Sequence, residues 1–289
     1  MKYNERACKF NMDTGCVAHR LDLNQPIRCT VNPSIDREEW HKIHQVKKRC
    51  NVVVVGGGVS GLEAACTAAE TGCTVTLLEK EAELGGWLRK IAKIPRKFRM
   101  QRLLDYMLHR ADALKNLTCL TGVIATSELI RAFKPDLVVW SIGSEPFHPA
   151  IPGLQERLNA PNGRVTDVNG FLKNLDKEAD ITGKQILLAG GGPVALDIAE
   201  FFAENGNQVT IVEMLPEIGR GQDTFSKQYT LEVFAKHKVV TLLSHRVKEV
   251  RDDSVLVFCG GEQKEIPYDY AFCALGLRSK PVETDIWRV

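Results

Sequence analysis

The chain contains no Cys-x-x-Cys, although it holds nine cysteines in 289 residues. That absence argues against a dithiol/disulfide reductase. It has no apolar run long enough to cross a bilayer and no hydrophobic leader, since the opening MKYNERACKF is polar. Charge of one sign is not in excess either: 38 Lys+Arg against 36 Asp+Glu leave +2, which makes no global case for a nucleic acid or membrane partner. His41, His44, His109, His148 and His245 stand in no recognisable catalytic constellation and read as surface residues. What remains is the expectation of a cytoplasmic chain with mostly reduced thiols. At 44% hydrophobic and 26% charged it has the composition of a globular protein, and its length suggests two domains.

What is present is organised around NVVVVGGGVSGLEAACTAAETGCTVTLLE, Asn51 to Glu79. Val52 to Val55 is a short apolar run, the pattern of a strand buried on both faces of a parallel sheet. Gly56, Gly58 and Gly61 follow in G-x-G-x-x-G spacing. The first allows a tight turn, the second lets backbone approach a pyrophosphate, and the third lets helix pack on strand. Leu62 to Glu70 reads as a helix stopped at Gly72, its N-terminus offering N–H groups and partial positive charge to phosphates. A second strand, Thr74 to Leu78, ends on Glu79, placed to accept ribose hydroxyls.

The pattern returns as QILLAGGGPVALDIAEFFAENGNQVTIVE from Gln185. Gly190, Gly192 and Ala195 repeat the fingerprint, Pro193 suits a helix start, Gly206 ends the helix and Glu213 closes the strand. Gly56 to Gly190 is 134 positions, as is Glu79 to Glu213; Asp136 to Asp269 is 133, as is Gly143 to Gly276. One βαβ unit with a closing strand and a glycine turn has been used twice. The fold class is α/β, with two tandem Rossmann-like nucleotide-binding domains and an irregular cysteine-bearing N-terminal arm. The expected bounds are 1–49 for the arm, 50–150 with 277–289 for the first domain, and 151–276 for the second.

Other stretches are read more simply. Residues 1–49 hold Cys8, Cys16 and Cys29, either incidental thiols on a poorly ordered arm or ligands of a metal or iron–sulfur site. IDREEWHKIHQVKK is expected to be helical. Arg89 to Arg102 is dense in Lys and Arg, favoured as a solvated face over a groove for an acidic partner. Leu103, Leu104, Met107, Leu108 and Ala111 predict a helix over 101–114. DLVVWS (Asp136 to Ser141) is another buried strand, and Pro146, Pro149 and Pro152 mark a boundary. A short helix is expected near Phe171.

Two such domains suggest a flavin dinucleotide held by one and a nicotinamide presented by the other, with hydride transfer between them. Glu213 favours NADH, because a carboxylate accepts from a free 2′-hydroxyl and repels a 2′-phosphate. Arg220 softens that preference toward NADPH. The other reading, from a different class, is a non-catalytic ADP- or NAD-binding scaffold, or a gene fragment, that docks a redox partner.

Together NVVVVGGGVSGLEAA, EK-x-x-x-LGGWL (Glu79, Lys80 and on through Gly86), VVWSIGSEP and GGGPVALDIAE resemble the flavoprotein pyridine-nucleotide reductases. IRCTVNP ahead of the first strand narrows the likeness to the rear half of the old-yellow-enzyme-related iron–sulfur flavoenzymes. Those include 2,4-dienoyl-CoA reductase, 2-enoate reductase and trimethylamine dehydrogenase. The resemblance implies FAD on Gly56, Gly58, Gly61, Glu79, Lys80, Gly86 and Gly143, and NAD(P)H on Gly190, Gly192, Ala195, Glu213 and Gly276. It further implies a [4Fe–4S] cluster and an FMN-bearing barrel, as a missing domain or separate subunit, that reduces an activated double bond. Three departures are visible. The barrel is absent from this sequence. Cys16 and Cys29, with twelve residues between them, match the family's last pair of cluster ligands, but Asn11 stands where a second cysteine is expected after Cys8. The family's late Gly-Asp strand does not appear after ALGLRSKP. The expectation is therefore a fragment, one piece of a split enzyme, or a shortened electron-transfer module.

Overall fold

The computed structural model describes residues 24–282 apart from 28, 30 and 36. These residues divide between two compact units, those up to 144 together with those from 279 on, and 145–278.

In the first unit β1 (Asn51–Val55), β2 (Thr74–Leu78), β3 (Leu117–Leu120) and β4 (Leu137–Trp140) form a parallel sheet in the order β3-β2-β1-β4. Val52 to Val55 are all buried, so both faces must be covered. One face carries α1 (Val59–Glu70), α2 (Gly86–Ile91) and α3 (Met100–Asp112). Val52, Val54 and Leu77 pack there with Leu62, Ala65, Ala69, Leu104 and Met107. On the other face Val53, Val55 and Leu78 meet Ile130 of α4 (Ser127–Ala132). Thr126 caps α4, its hydroxyl accepting from Leu129 N. Strands alternating with helices and joined in parallel are the crossover arrangement that the hydrophobic runs predict.

The chain passes to the second unit and returns through two short paired strands, β5 (Ser144–Pro146) and, near the end, β14 (Leu277–Ser279). In the second unit β6 (Val165–Asp167), β7 (Gln185–Ala189), β8 (Gln208–Val212), β9 (Val240–Leu242) and β13 (Tyr270–Cys273) form a parallel sheet ordered β6-β13-β7-β8-β9. The order β9-β8-β7-β13 repeats that of the first unit, with β6 added at the edge. After α5 (Leu154–Leu158), helices α6 (Val168–Lys173), α7 (Leu175–Glu178) and α8 (Pro193–Glu204) precede α9 (Thr224–His237). Phe171, Phe201, Phe202 and Phe272 pack ring against ring, 4.7–6.0 Å between centroids, in the geometry aromatic quadrupoles favour. The other core cluster joins Leu187, Ala189 and Ala271 to Val255, Val257 and Ile266 of an antiparallel sheet. That sheet is β10 (Arg246–Val250), β11 (Ser254–Cys259) and β12 (Glu262–Pro267).

The α/β class with two tandem Rossmann-like units is borne out. One helix is not: among the described residues of 35–48 there are only turns and irregular backbone. Trp40 is 90% exposed there, so the segment has no apolar stripe buried against anything to offset the cost of ordering a helix. The cysteine-bearing arm is only partly described, since Cys8 and Cys16 lie outside the described residues.

Candidate nucleotide sites

Both sites are built at the carboxyl ends of the parallel strands, where open α/β sheets bind ligands. In the first, Gly56 turns the chain off β1 with φ +103, a left-handed conformation that L side chains rarely adopt. A Cβ there would sit 2.3 Å from Ser141 O, and one at Gly61 would sit 1.7 Å from Gly56 O. Gly58, the N-cap of α1, has open space: nothing lies within 4 Å of where its Cβ would be. No side chain caps α1 and its first turn holds no acidic residue, so its N–H groups face that space without a protein carboxylate competing for them. Gly86 closes in from the following loop, at φ +49 and with its would-be Cβ 3.1 Å from Gly58 Cα. Gly85 N donates to Gly57 O at 2.8 Å and fixes that approach.

Glu79 is buried, 7% exposed. Its carboxylate accepts from Gly57 N at 2.6 Å and from Glu81 N at 2.8 Å. The acid at the end of β2 therefore holds the glycine turn in shape, a role beyond the ribose contact expected from spacing. Lys80 is exposed, its Nζ 3.8 Å from Glu81 Oε1. Gly143 lies beyond β4 at φ +73, its oxygen accepting from Lys280 N at 3.3 Å.

The second site repeats this wiring. Gly190 has φ +106 and its would-be Cβ lies 2.4 Å from Ala274 O. Gly192 caps α8 with open space, Pro193 begins the helix, and no side-chain cap or first-turn acid intervenes. Glu213, 8% exposed, accepts from Gly191 N at 2.6 Å and Leu215 N at 2.7 Å. Gly219 N donates to Gly191 O at 2.8 Å, as Gly85 does to Gly57. Gly276 follows β13 at φ +115, its oxygen accepting from Phe147 N. The correspondence reaches the opposite ends of the strands, where Asp136 accepts from Asn51 N at 2.7 Å and Asp269 from Gln185 N at 2.9 Å.

Spacing therefore named the turns, the third fingerprint positions and the closing acids. The LGGWL motif already marked Gly85 with Gly86 as a second backbone-exposing turn, but Gly57, Gly191 and Gly219 were missed, although the 134-residue offset joins Gly57 to Gly191 and Gly85 to Gly219. His148 is not a free surface residue. Its Nε2 lies 3.1 Å from Asp167 Oδ2, with the histidine side chain 27% exposed. The basic stretch 89–102 is partly committed: Arg89 Nε donates to Leu84 O, and Lys90 sits over the Trp87 ring. Of the expected metal ligands, Cys29 alone is described; its Sγ accepts from Asn32 N at 3.3 Å. Among the described residues no group of three or more His, Cys, Asp or Glu could hold a metal ion. None of their helices is long and apolar enough to cross a membrane.

The likeness to known proteins agrees with this geometry. The family model for pyridine nucleotide-disulphide oxidoreductases matches residues 14–146 and 125–285, overlapping matches that reflect the repeat. The NADH oxidase of Thermoanaerobacter brockii is 36% identical over 81% of this chain and 35% of its own length. The bilirubin reductase of Mediterraneibacter gnavus is 32% identical over 87% of this chain and 38% of its own. Among solved structures, a 2-naphthoyl-CoA reductase complex is 27% identical with a TM-score of 0.78, covering 91% of this chain and 38% of that one. The chain thus spans well under half the length of these relatives. They bear out the expected likeness to the nucleotide-binding half of the old-yellow-enzyme-related flavoenzymes. With both glycine turns, both closing acids and nearly its whole length accounted for, the chain belongs to the pyridine nucleotide-disulphide oxidoreductase family.

Proposed function

We propose that the first unit holds the ADP part of FAD and the second presents NADH, in an oxidoreductase module that moves a hydride from nicotinamide to flavin. The observation that carries this is the open, uncapped helix N-terminus beside Gly58 and again beside Gly192, each with its turn held by a buried glutamate. Both cradles fit a dinucleotide: a side chain at Gly58 or Gly192 would fill the space, and backbone N–H groups are the donors a pyrophosphate needs. Gly56, Gly58, Gly61, Glu79 and Gly86 would hold the flavin nucleotide; Gly190, Gly192, Ala195 and Glu213 would hold the nicotinamide nucleotide. Bound flavin supplies the two-electron acceptor, and the chain supplies binding, orientation and fixed charge.

The negative charge of Glu213 at the end of β8 favours the 2′-hydroxyl of NADH over the 2′-phosphate of NADPH, with Arg220 seven residues on as the opposing cation. Onward transfer goes to a partner bearing FMN, which reduces an activated carbon–carbon double bond; the names of the reductase relatives support that direction. No electron path is assigned through a cluster, because Cys8, Cys16 and Cys29 are one thiolate short of a four-cysteine set.

The test is anaerobic purification followed by an absorption spectrum, a count of released flavin, and reduction by each nicotinamide. One flavin per chain, bleached faster by NADH than by NADPH, is expected. A colourless protein that still binds ADP overturns the oxidoreductase reading and leaves a nucleotide-binding scaffold. Faster bleaching by NADPH overturns only the role given to Glu213.

A further inference from the structure

The amino ends of the two central strands of the first sheet, opposite the glycine turns, carry two cysteines that the nucleotide site does not use. Cys50 immediately precedes β1 and Cys73 immediately precedes β2. These strands run parallel with Asn51 opposite Thr74, and Thr74 N donates to Cys50 O at 2.9 Å. The two cysteines therefore occupy the next matched position of the ladder. Neighbouring strands about 4.8 Å apart place such a pair inside the roughly 4.4–6.8 Å Cα window of a disulfide. Their Sγ atoms are 2.8 Å apart. Cys73 is 4% exposed and Cys50 is half-buried, so one of the two can meet a reagent from solvent. Hydrogen bonding to Cys73, with burial, pushes the Cys50 thiol up to about 11.

We propose that Cys50 and Cys73 form a reversible disulfide, an oxidation site that clamps the base of the β1–α1–β2 unit. The oxidant is a low-molecular-weight disulfide. The thiolate of Cys50 attacks one of its sulfurs and expels one small thiolate. Cys73, deprotonated in turn, attacks the Cys50 sulfur of the mixed disulfide and expels the second. Two protein thiols are oxidised, the small disulfide is reduced to two thiols, and the two protons leave on them. The bond closes a loop around the glycine turn and α1. It also fixes the point where the arm enters the unit, since Val46 N donates to Thr71 O and Gln45 Nε2 to Glu70 O along the same turn. A cross-link there removes freedom mainly from the unfolded chain.

The test incubates the reduced full chain with oxidised glutathione, blocks remaining thiols in acid, and compares thiol count, peptide map and thermal unfolding. Cys50, Cys66 and Cys73 share the tryptic peptide 50–80. That peptide should become lighter by two hydrogens, with Cys66 still blocked. Cleavage after Glu63 and Glu70 should leave the Cys50 and Cys73 fragments joined. The Tm should rise by about 5 °C and fall back with dithiothreitol, and Cys50→Ser, along with Cys50→Ala, should show neither change. Blocked thiols at both positions, a link through Cys66 or Cys119, a stable glutathione adduct on Cys50, or a bond that leaves Tm unmoved would each overturn the proposal.

Discussion

The two units share one set of backbone instructions and pack around it differently. Each has a left-handed glycine against a carbonyl of the closing strand, a buried glutamate holding the turn at 2.6 Å, and a second glycine tied to the turn at 2.8 Å. They part at the third fingerprint position. In the first unit Gly61 lies so close to Gly56 O that a methyl group would stand 1.7 Å from it. In the second, Ala195 occupies the matched position, fully buried. The helices that follow share small residues at two further matched positions, Ala65 with Ala199 and Ala69 with Ala203, and differ where Thr67 and Ala68 of α1 correspond to Phe201 and Phe202 of α8. The shared hydrogen-bond scheme thus accompanies glycine at position 61 and alanine at position 195.

The comparison breaks most sharply at Gly61. Gly61→Ala forces α1 away from the turn and is expected to cost about 3 kcal/mol and to abolish flavin retention. Ala195→Gly relieves nothing and should cost about 1 kcal/mol through helix entropy, leaving nicotinamide binding in place. Thermal unfolding and flavin content measure both. Full flavin in the Gly61→Ala protein would mean that the first turn accommodates a methyl group there, as the second does at Ala195.

A second difference is an arginine clamp on α1. Arg110 of α3, its side chain 11% exposed, donates to Glu70 at 2.6 and 2.7 Å, to Glu63 at 2.8 Å and to the Thr67 hydroxyl at 3.3 Å, all on α1. In the second unit the helix before the matching strand β9 is α9, and it holds no arginine. Arg110→Met leaves two carboxylates without their cation. Because both retain some exposure, the expected loss is about 2 kcal/mol, below the cost of breaking a fully buried pair. The loss should appear in flavin release on heating, while the NADH dependence of the remaining holoprotein stays unchanged.

The sequence made the repeated part of this architecture legible, because the motifs that build it are local. A glycine turn, an apolar strand and a closing acid lie within thirty residues, and an offset held across the chain links the copies. What it did not reveal came from contacts between distant residues. That Glu79 serves the turn depends on Gly57 N pointing at its carboxylate, which spacing alone does not state. The antiparallel sheet was unread although it carried a signal. Gly260 and Gly261, both at positive φ between Cys259 and Glu262, are the residues a two-residue hairpin turn requires. The helix expected in the arm failed for the converse reason: its charged, helix-compatible composition lacked an apolar face seated on the sheet.

A smaller effect than those at Gly61 and Arg110 probes what the units hold in common. Glu79→Gln and Glu213→Gln each keep one carbonyl oxygen and replace the other with an NH2 group. That group meets a backbone N–H, so one buried donor at the turn loses its partner, at a cost of roughly 1–2 kcal/mol. The paired distances, 2.6 and 2.8 Å at Glu79 against 2.6 and 2.7 Å at Glu213, predict nearly equal losses of stability from the two substitutions. Their ligand effects should separate. Glu79→Gln should weaken flavin retention while leaving the NADH dependence of the flavin-loaded protein unchanged. Glu213→Gln should raise the NADH concentration needed for half-maximal bleaching and narrow the gap to NADPH, because the charge that repels a 2′-phosphate is gone. Equal ligand effects from both would show that the glutamates act only through the shape of the turns. Separate effects would show that each also faces its own nucleotide.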